Sequence, residues 1–302
     1  MRYTVAGNVS QSPAVCVDRA DTAGPLWAAR SAGVVCTWLK SFSVSHQSRW
    51  SGTLPVDLQY VREYQTERDD IKHLRILLYG PVGAGKSSFV NSVSSVLRGR
   101  MTLPAMASYR THTIRKGTPQ TYYPIVLNDI MGLEEGSDSG VRPDDIKLAM
   151  KGHVKDGYKF NPVSPLSSGD PHYYPEPSAD DKVHVLVCVH SANSAEIKES
   201  VLQKMKGIRE TANELGIPQM AIITKIDEAC GETKKNLKNV YKSKHLKKKM
   251  KDFSAAVGIP MNYIFPIKNY CEEIDINDDV DSLILSALRP MIDFGDDFIN
   301  KI

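Results

Sequence analysis

The sequence predicts an α/β fold of three layers, with a mostly parallel six-stranded sheet held between helices. Three observations predict it. From Leu74 onward, apolar runs of strand length alternate with longer amphipathic stretches. A glycine-rich turn, Gly80-Pro-Val-Gly-Ala-Gly-Lys-Ser87, joins the first apolar run to the first amphipathic stretch. Two later apolar runs each lead into a short acidic motif, Asp129-Ile-Met-Gly132 and Thr224-Lys-Ile-Asp227.

The elements follow in order. Arg75-Ile-Leu-Leu-Tyr79 is continuous, apolar and too short for a stable helix, so it reads as a buried strand. Residues 87–97 read as a helix because Phe89, Val90, Val93 and Leu97 recur on one face. Residues 109–115 alternate like an edge strand and residues 122–128 follow closely. The short connection Gly117-Thr-Pro-Gln120 makes that pair antiparallel. A buried strand over 183–189 precedes a helix over 195–215, which Gly216 and Pro218 stop. Next come a strand at 220–224, a lysine-rich helix at 233–257, a strand at 262–266 and a last helix at 280–299. Residues 161–181, rich in Pro, Ser and Asp, read as a long surface loop.

The chain divides near residue 70. Residues 1–69 read as an N-terminal extension, residues 1–50 being unpatterned and expected to be poorly ordered, with a short charged helix over 58–70. Residues 70–302 form the patterned domain. Over 302 residues the net charge is only +3, so the molecule as a whole offers no field for nucleic acid. The five cysteines, Cys16, Cys36, Cys188, Cys230 and Cys271, never stand in a C-x-x-C pair. That spacing argues against a disulfide framework or a zinc site, and suits a reducing compartment. Cys188, inside an apolar strand, reads as a core residue. Residues 26–39 are too short for a membrane span and include Arg30, so the expected location is cytoplasmic.

The glycine-rich turn matches G-x-x-x-x-G-K-[ST] between a strand and a helix, the context that motif requires in a P-loop NTPase. Glycines let successive backbone N–H groups curl around phosphate oxygens, and the helix N-terminus adds positive potential. Candidate phosphate contacts are Gly80, Val82, Gly83, Ala84, Gly85, Lys86, Ser87 and Ser88. Lys86 supplies a compact charge to the β- and γ-phosphates, and the Ser87 hydroxyl completes a Mg²⁺ site. Asp129 would hold a Mg²⁺ water and the Gly132 N–H would sense the γ-phosphate. Thr224, Lys225 and Asp227 match [NT]-K-x-D. A carboxylate at Asp227 can accept from guanine N1–H and N2–H₂, a donor pair that adenine lacks, so the nucleotide is GTP or GDP rather than ATP. Lys225 would lay its stem along the purine. Asn269, in the loop after the last strand, is the candidate contact to guanine O6.

Two positions depart from a GTPase pattern. In the loop before the edge strand only Thr102 is available as a switch threonine for Mg²⁺. Leu133 follows Gly132, where Ras-like enzymes place a glutamine to orient water. No catalytic residue is assigned, and Arg142 is the nearest arginine within the chain that could assist. Nine lysines lie between Lys234 and Lys251. They read first as the solvated face of a surface helix, and alternatively as a contact to anionic membrane.

The chain resembles the interferon-induced protein 44 family. The resemblance is carried by Leu77-Leu-Tyr-Gly-Pro-Val-Gly-Ala-Gly-Lys-Ser-Ser-Phe89 and Tyr109-Arg-Thr-His-Thr-Ile-Arg115, then by Asp144-Asp-Ile146, Tyr158-Lys-Phe-Asn-Pro162 and Leu283-Ile-Leu-Ser-Ala-Leu-Arg289. It runs from about residue 70 to the end of the chain. The resemblance implies a Ras-like G domain, guanine-nucleotide binding and a role in innate, antiviral responses. It carries Gly85, Lys86 and Ser87 over as phosphate and Mg²⁺ contacts. The expected function is GTP–Mg²⁺ binding with slow or partner-dependent hydrolysis. An active GTP-hydrolysing switch and a nucleotide-independent interaction scaffold are the alternatives. Expected partners are guanine nucleotide and unidentified proteins of the immune response, with a homodimer open as well.

Overall fold

The computed structural model describes residues 54–102, 110–117, 120–136, 139–194 and 196–302. The expected extension over residues 1–50, with Cys16 and Cys36, lies outside them, as do residues 103–109 of the loop after Thr102.

Strands β1 (Leu74–Tyr79), β2 (Arg110–Arg115), β3 (Tyr122–Asp129), β4 (Val185–Ser191), β5 (Gln219–Thr224) and β6 (Ile264–Pro266) form one sheet. Its order is β2-β3-β1-β4-β5-β6. Every neighbouring pair is parallel except β2 with β3, whose short connection leaves no room for a crossover. The helices are α1 (Leu54–Glu63), α2 (Lys86–Arg98), α3 (Pro143–Met150), α4 (Glu199–Glu214), α5 (Ile226–Ala229), α6 (Gly231–Lys235), α7 (Lys244–Val257) and α8 (Asp278–Ile299).

Alternation along the central strands builds two cores. Ile76 and Leu78 of β1 join Phe89, Val93 and Leu97 of α2 and Leu288 and Met291 of α8 on one face. Leu77 and Tyr79 join Ile146 of α3, Met205 and Ile208 of α4, and Met250 and Phe253 of α7 on the other. Both faces of the sheet are therefore covered, which is why its strands read as continuous apolar runs rather than alternating ones. Cys188 is fully buried on the second face. At Gly295 of α8 an added Cβ would stand 2.3 Å from Leu74 Cδ1, so that helix approaches the sheet at glycine distance.

Four expectations shift. The helix expected over 58–70 runs from Leu54 to Glu63 and packs on α8, with Val61 buried. Tyr60 Oη donates to Asp293 at 2.5 Å, Tyr64 Oη to Asp296 at 2.9 Å, and Arg289 pairs with Asp57 at 2.6 Å. The lysine-rich helix divides into α6, a 3₁₀ turn at Leu237–Lys242 and α7. Asn236 accepts from Lys238 N and Ser243 from Leu246 N, so two local caps interrupt the run and restart it. The strand expected over 262–266 keeps only Ile264–Pro266, because a 3₁₀ turn at Met261–Tyr263 follows Pro260. The short helix α3, not anticipated, carries Pro143 in its first turn with Asp144 and Asp145, the usual N-terminal pattern.

His184 anchors the entry to β4. It is fully buried; its Nδ1 accepts from Arg75 N at 3.0 Å and its Nε2 faces the Ala179 carbonyl at 3.2 Å. With Nδ1 as acceptor the ring is neutral, and burial holds its pKa down to about 4. The unfolded chain takes up a proton near the ordinary histidine value of about 6.5, whereas the folded chain resists until about 4. This histidine's contribution to stability is therefore present above about pH 6.5 and is lost as the pH falls through that window. His184→Asn keeps an acceptor for Arg75 N and cannot titrate. Denaturant titrations from pH 7 to pH 4 should show the parent losing up to roughly 3 kcal/mol more than His184→Asn. Parallel pH curves for the two proteins would contradict this account of His184.

Candidate nucleotide-binding site

The glycine-rich loop leaves β1 by crossing the tip of β4. Gly80 has φ +147°, and a Cβ there would fall 2.1 Å from the Val189 carbonyl oxygen, so no other residue fits. Gly83 and Gly85 are also left-handed, with φ +74° and +93°, and Gly85 caps α2. Ala84, between them, is buried, while Val82 projects from the loop and is exposed.

Lys86 is only 7% exposed, and its Nζ donates to the carbonyls of Gly80 and Pro81 at 3.1 Å each. The ammonium thus lies across the mouth of the loop. Burial lowers its pKa, and the negative charge of Asp129 opposes that shift. Ser87 Oγ donates to Asp129 Oδ2. Asp129, at the end of β3, is fully buried, and its Oδ1 has no hydrogen-bond partner among the described residues. Burial raises the Asp129 pKa against the pull of Ser87 and Lys86. A buried carboxylate oxygen without a partner among the described residues, beside a serine hydroxyl, is an oxygen donor set that fits a hard divalent cation such as Mg²⁺. Ser88 lies in the first turn of α2, where its carbonyl accepts from Ser92 Oγ at 2.8 Å.

The segment after Asp129 is zipped onto the phosphate loop. Leu133 N donates to the Gly80 carbonyl at 3.0 Å and Val82 N to the Leu133 carbonyl at 3.3 Å. Gly132 passes so close that a Cβ would meet Val82 Cγ2 at 2.4 Å. Leu133 itself is 2% exposed and packs into the core beneath. Further along, Lys204 of α4 donates to the carbonyls of Glu134, Gly136 and Ser139 at 2.9, 2.6 and 3.3 Å. A cleft of about 430 Å³ opens beside this zipper, lined by Val82, Leu133, Glu134, Glu135 and His190 among others.

The base-side residues converge on the same loop. Thr224, buried at the end of β5, donates its hydroxyl to the Ala84 carbonyl at 2.6 Å, with the His190 carbonyl at 3.3 Å. Lys225 takes a left-handed turn, φ 55°, that sends the chain into α5. Asp227 Oδ2 faces Lys268 Nζ at 3.6 Å, and Lys268 is held more closely by Glu273 at 2.7 Å. Burial would raise the Glu273 carboxyl, but Lys268 and the Cys271 N–H outweigh it and hold the pKa at about 2. Asn269 donates from Nδ2 to the Gly85 carbonyl at 3.1 Å and accepts from Ser92 at 3.4 Å. Its amide therefore braces the glycine loop, and in the same segment the N–H groups of Tyr270, Cys271 and Glu272 are bonded to Ser92 and Glu273.

Thr102 is not brought to the site. Its hydroxyl lies 3.1 Å from Ser95 Oγ and donates to the Asn91 carbonyl at 3.3 Å. Ser95 is eight residues beyond Ser87, roughly 12 Å along α2. The Mg²⁺ role expected of Thr102 is corrected accordingly: the helix end captures that side chain locally. Arg142 is likewise committed elsewhere, donating to the Pro162 and Val163 carbonyls at 3.2 and 3.5 Å. Sequence reasoning missed Lys204, Lys268 and Glu273. Lys268 adjoins the expected Asn269 and its partner Glu273 lies five residues on, but no motif marks that pair, and nothing in the sequence marks Lys204, whose partners are backbone carbonyls of a distant loop.

No family model matches the chain. Interferon-induced protein 44 of Mus musculus is 34% identical over 255 residues, covering 81% of this chain and 60% of that protein. The Homo sapiens protein of that name is 33% identical over 255 residues, 81% of this chain and 57% of its own length. Interferon-induced protein 44-like of Homo sapiens is 32% identical over 252 residues, 80% of this chain and 56% of its own. The chain thus spans under two thirds of the length of the curated relatives it matches. Among solved structures, Toc33 from Arabidopsis thaliana in complex with GDP and Mg²⁺ overlaps at a TM-score of 0.44 and 15% identity, over 85% of this chain and 94% of that one. A probable GTP-binding protein engB overlaps at 0.37 and 14%, over 72% and 98%. Over about four fifths of its length the chain is thus similar to curated proteins named interferon-induced protein 44 and 44-like, at 32–34% identity.

Proposed function

We propose that this protein binds GTP and GDP together with Mg²⁺ and hydrolyses GTP slowly unless a partner assists, acting in the cytoplasm as part of the interferon response. The observation that carries the reading is the convergence of Lys86, Ser87, Asp129 and Thr224 on one glycine loop, with Asp227 following Thr224 in the chain and facing Lys268. The relatives' names support the interferon connection. The free thiols of Cys188, Cys230 and Cys271 suit a reducing compartment.

In this reading the phosphates lie in the curl of residues 80–87, with the Lys86 ammonium and the N-terminus of α2 turned to them. Ser87 and Asp129 would hold Mg²⁺, which when bound neutralises charge on the phosphate oxygens. Asp227 accepts from the guanine edge once the purine comes between it and Lys268. Glu273 favours this arrangement by anchoring that lysine.

Replacing Lys86 with Ala removes a charge-assisted contact worth about 1.5–3 kcal/mol. Titration with fluorescent GTP should then give an affinity at least about tenfold weaker. A folded Lys86→Ala variant with parental affinity would remove the phosphate site from consideration.

Asp227→Asn exchanges an acceptor for a donor. Xanthine carries a carbonyl where guanine carries its amino group, so the variant should shift preference from GTP toward XTP. The check is competition binding with both nucleotides. An unchanged GTP-to-XTP ratio would mean that residues 224–227 do not read the base.

Slow turnover follows from Leu133. A nucleophilic water must be held in line with the γ-phosphate, and a buried leucine whose backbone is already paired with Gly80 and Val82 offers it nothing. Single-turnover hydrolysis should therefore run on the order of 10⁻⁴ to 10⁻² per second. Measuring it at two protein concentrations separates an intrinsic rate from help supplied by a second copy. Hydrolysis above about 1 per second at both concentrations would require a catalytic group that this reading does not contain.

A further inference from the structure

A second concentration of positive charge lies far from the glycine loop, at the opposite end of α2 and of the sheet. Arg62 of α1, Arg98 and Arg100 at the end of α2, and Arg115 and Lys116 at the end of β2 surround one cleft of about 560 Å³. Its floor is apolar and aromatic, formed by the buried Leu97 and Tyr123. No acidic side chain lines the cleft among the described residues. None of the five cations forms a salt bridge with a described residue.

Two of the five are held in position by the fold. Arg62 donates one of its N–H groups to the Leu97 carbonyl at 3.0 Å, which fixes the guanidinium at the cleft wall. The Lys116 ammonium stands 5.3 Å from the centre of the Tyr123 ring, whose hydroxyl faces the same Leu97 carbonyl at 3.4 Å. Arg98, Arg100 and Arg115 are exposed at the rim. Cations gathered without counter-charges repel one another, so the arrangement carries an electrostatic cost that an anion would relieve. The C-terminal end of α2 accounts for one or two cations there, but not for those contributed by α1 and β2.

The lysine-rich stretch that dominates the sequence is different in kind. Lys235, Lys238 and Lys248 pair with Glu232, Asp279 and Asp252 at 3.7, 3.6 and 3.9 Å. The cleft, by contrast, brings four segments together around a concave, carboxylate-free volume. Arginine forks suit phosphate in particular, since each can offer two parallel N–H groups to its oxygens. A volume of this size admits a small ligand rather than a duplex.

We propose that this cleft is a second anion site, separate from the nucleotide site, that takes a compact ligand bearing two or more phosphate groups. The ligand is free in solution or presented as a lipid headgroup, and the two sources are separable by experiment. Inositol hexakisphosphate is the soluble probe, titrated into the full chain saturated with GDP and Mg²⁺ and again into Lys86→Ala, so that the glycine loop cannot account for the signal. Phosphatidylcholine vesicles with and without a phosphoinositide form the second arm. Saturable binding of the soluble probe is expected in both proteins, falling as salt is raised. The pair Arg98→Glu and Arg100→Glu, and Arg115→Glu alone, should each weaken it at least about tenfold, while the unfolding midpoint stays unchanged because all three side chains are exposed. Reversing Lys247 and Lys248 on α7 should change binding less than about twofold. Vesicle binding that requires the phosphoinositide and is competed by the soluble probe identifies a headgroup; soluble binding without vesicle binding identifies a free ligand. The proposal is overturned if the probe does not saturate, if the α7 reversal weakens binding as much as the cleft reversals, or if a single-stranded RNA binds the cleft more tightly than either phosphate probe.

Discussion

The carbonyl of Ala84 accepts the hydroxyl of Thr224, and much of the site depends on that 2.6 Å bond. It ties the middle of the phosphate loop to the end of β5, while Asn269 ties the next residue, Gly85, to the loop after β6. On the other side Gly80 lies against the Val189 carbonyl at the tip of β4. Each hydrogen bond is modest in net terms, about 0.5–1.5 kcal/mol. Breaking one would leave a buried polar group unsatisfied, which costs more than the bond contributes. The loop's left-handed glycines are therefore held in shape by the parallel sheet beneath them, and the base-side residues cannot move independently of the phosphate side.

A second consequence of this tethering concerns the segment after Asp129. Its backbone is paired with the phosphate loop on one side and gripped by Lys204 on the other. Leu133 serves this arrangement as a buried core residue. The same packing fixes Gly132 so close beside Val82 that no Cβ fits there.

Near-neutral net charge conceals a segregated surface. Beside Asp227, Lys268 is shared between two carboxylates, with the closer one belonging to Glu273. The lysines of α6, α7 and the turn between them stand largely in solvent, several of them paired within a turn. The arginines around Leu97 and Tyr123 are collected from α1, α2 and β2 and have no carboxylate among them. Only the second of these groups is conspicuous in the sequence, because only there are the charges contiguous.

The sequence by itself determined the class of fold, the order of its six strands along the chain, and the glycine loop. These are local properties: side-chain period, glycine and proline placement, and a motif whose parts are adjacent in the chain. The halves of the lysine-rich stretch were not legible because two capping side chains, Asn236 and Ser243, compete with helix continuation, and only the folded geometry decides that contest. Thr102 was the sole threonine open to the switch role on sequence grounds, yet hydrogen bonds to Asn91 and Ser95 draw it to the wrong end of α2. Asn269 was marked for the base, and its amide instead supports Gly85. Lys204, Lys268, Glu273 and the arginine cleft were decided by tertiary structure alone. Lys204 and the arginines meet partners far away in sequence, Lys268 and Glu273 pair locally without a motif to mark them, and no periodicity records which distant segments a sheet will bring together.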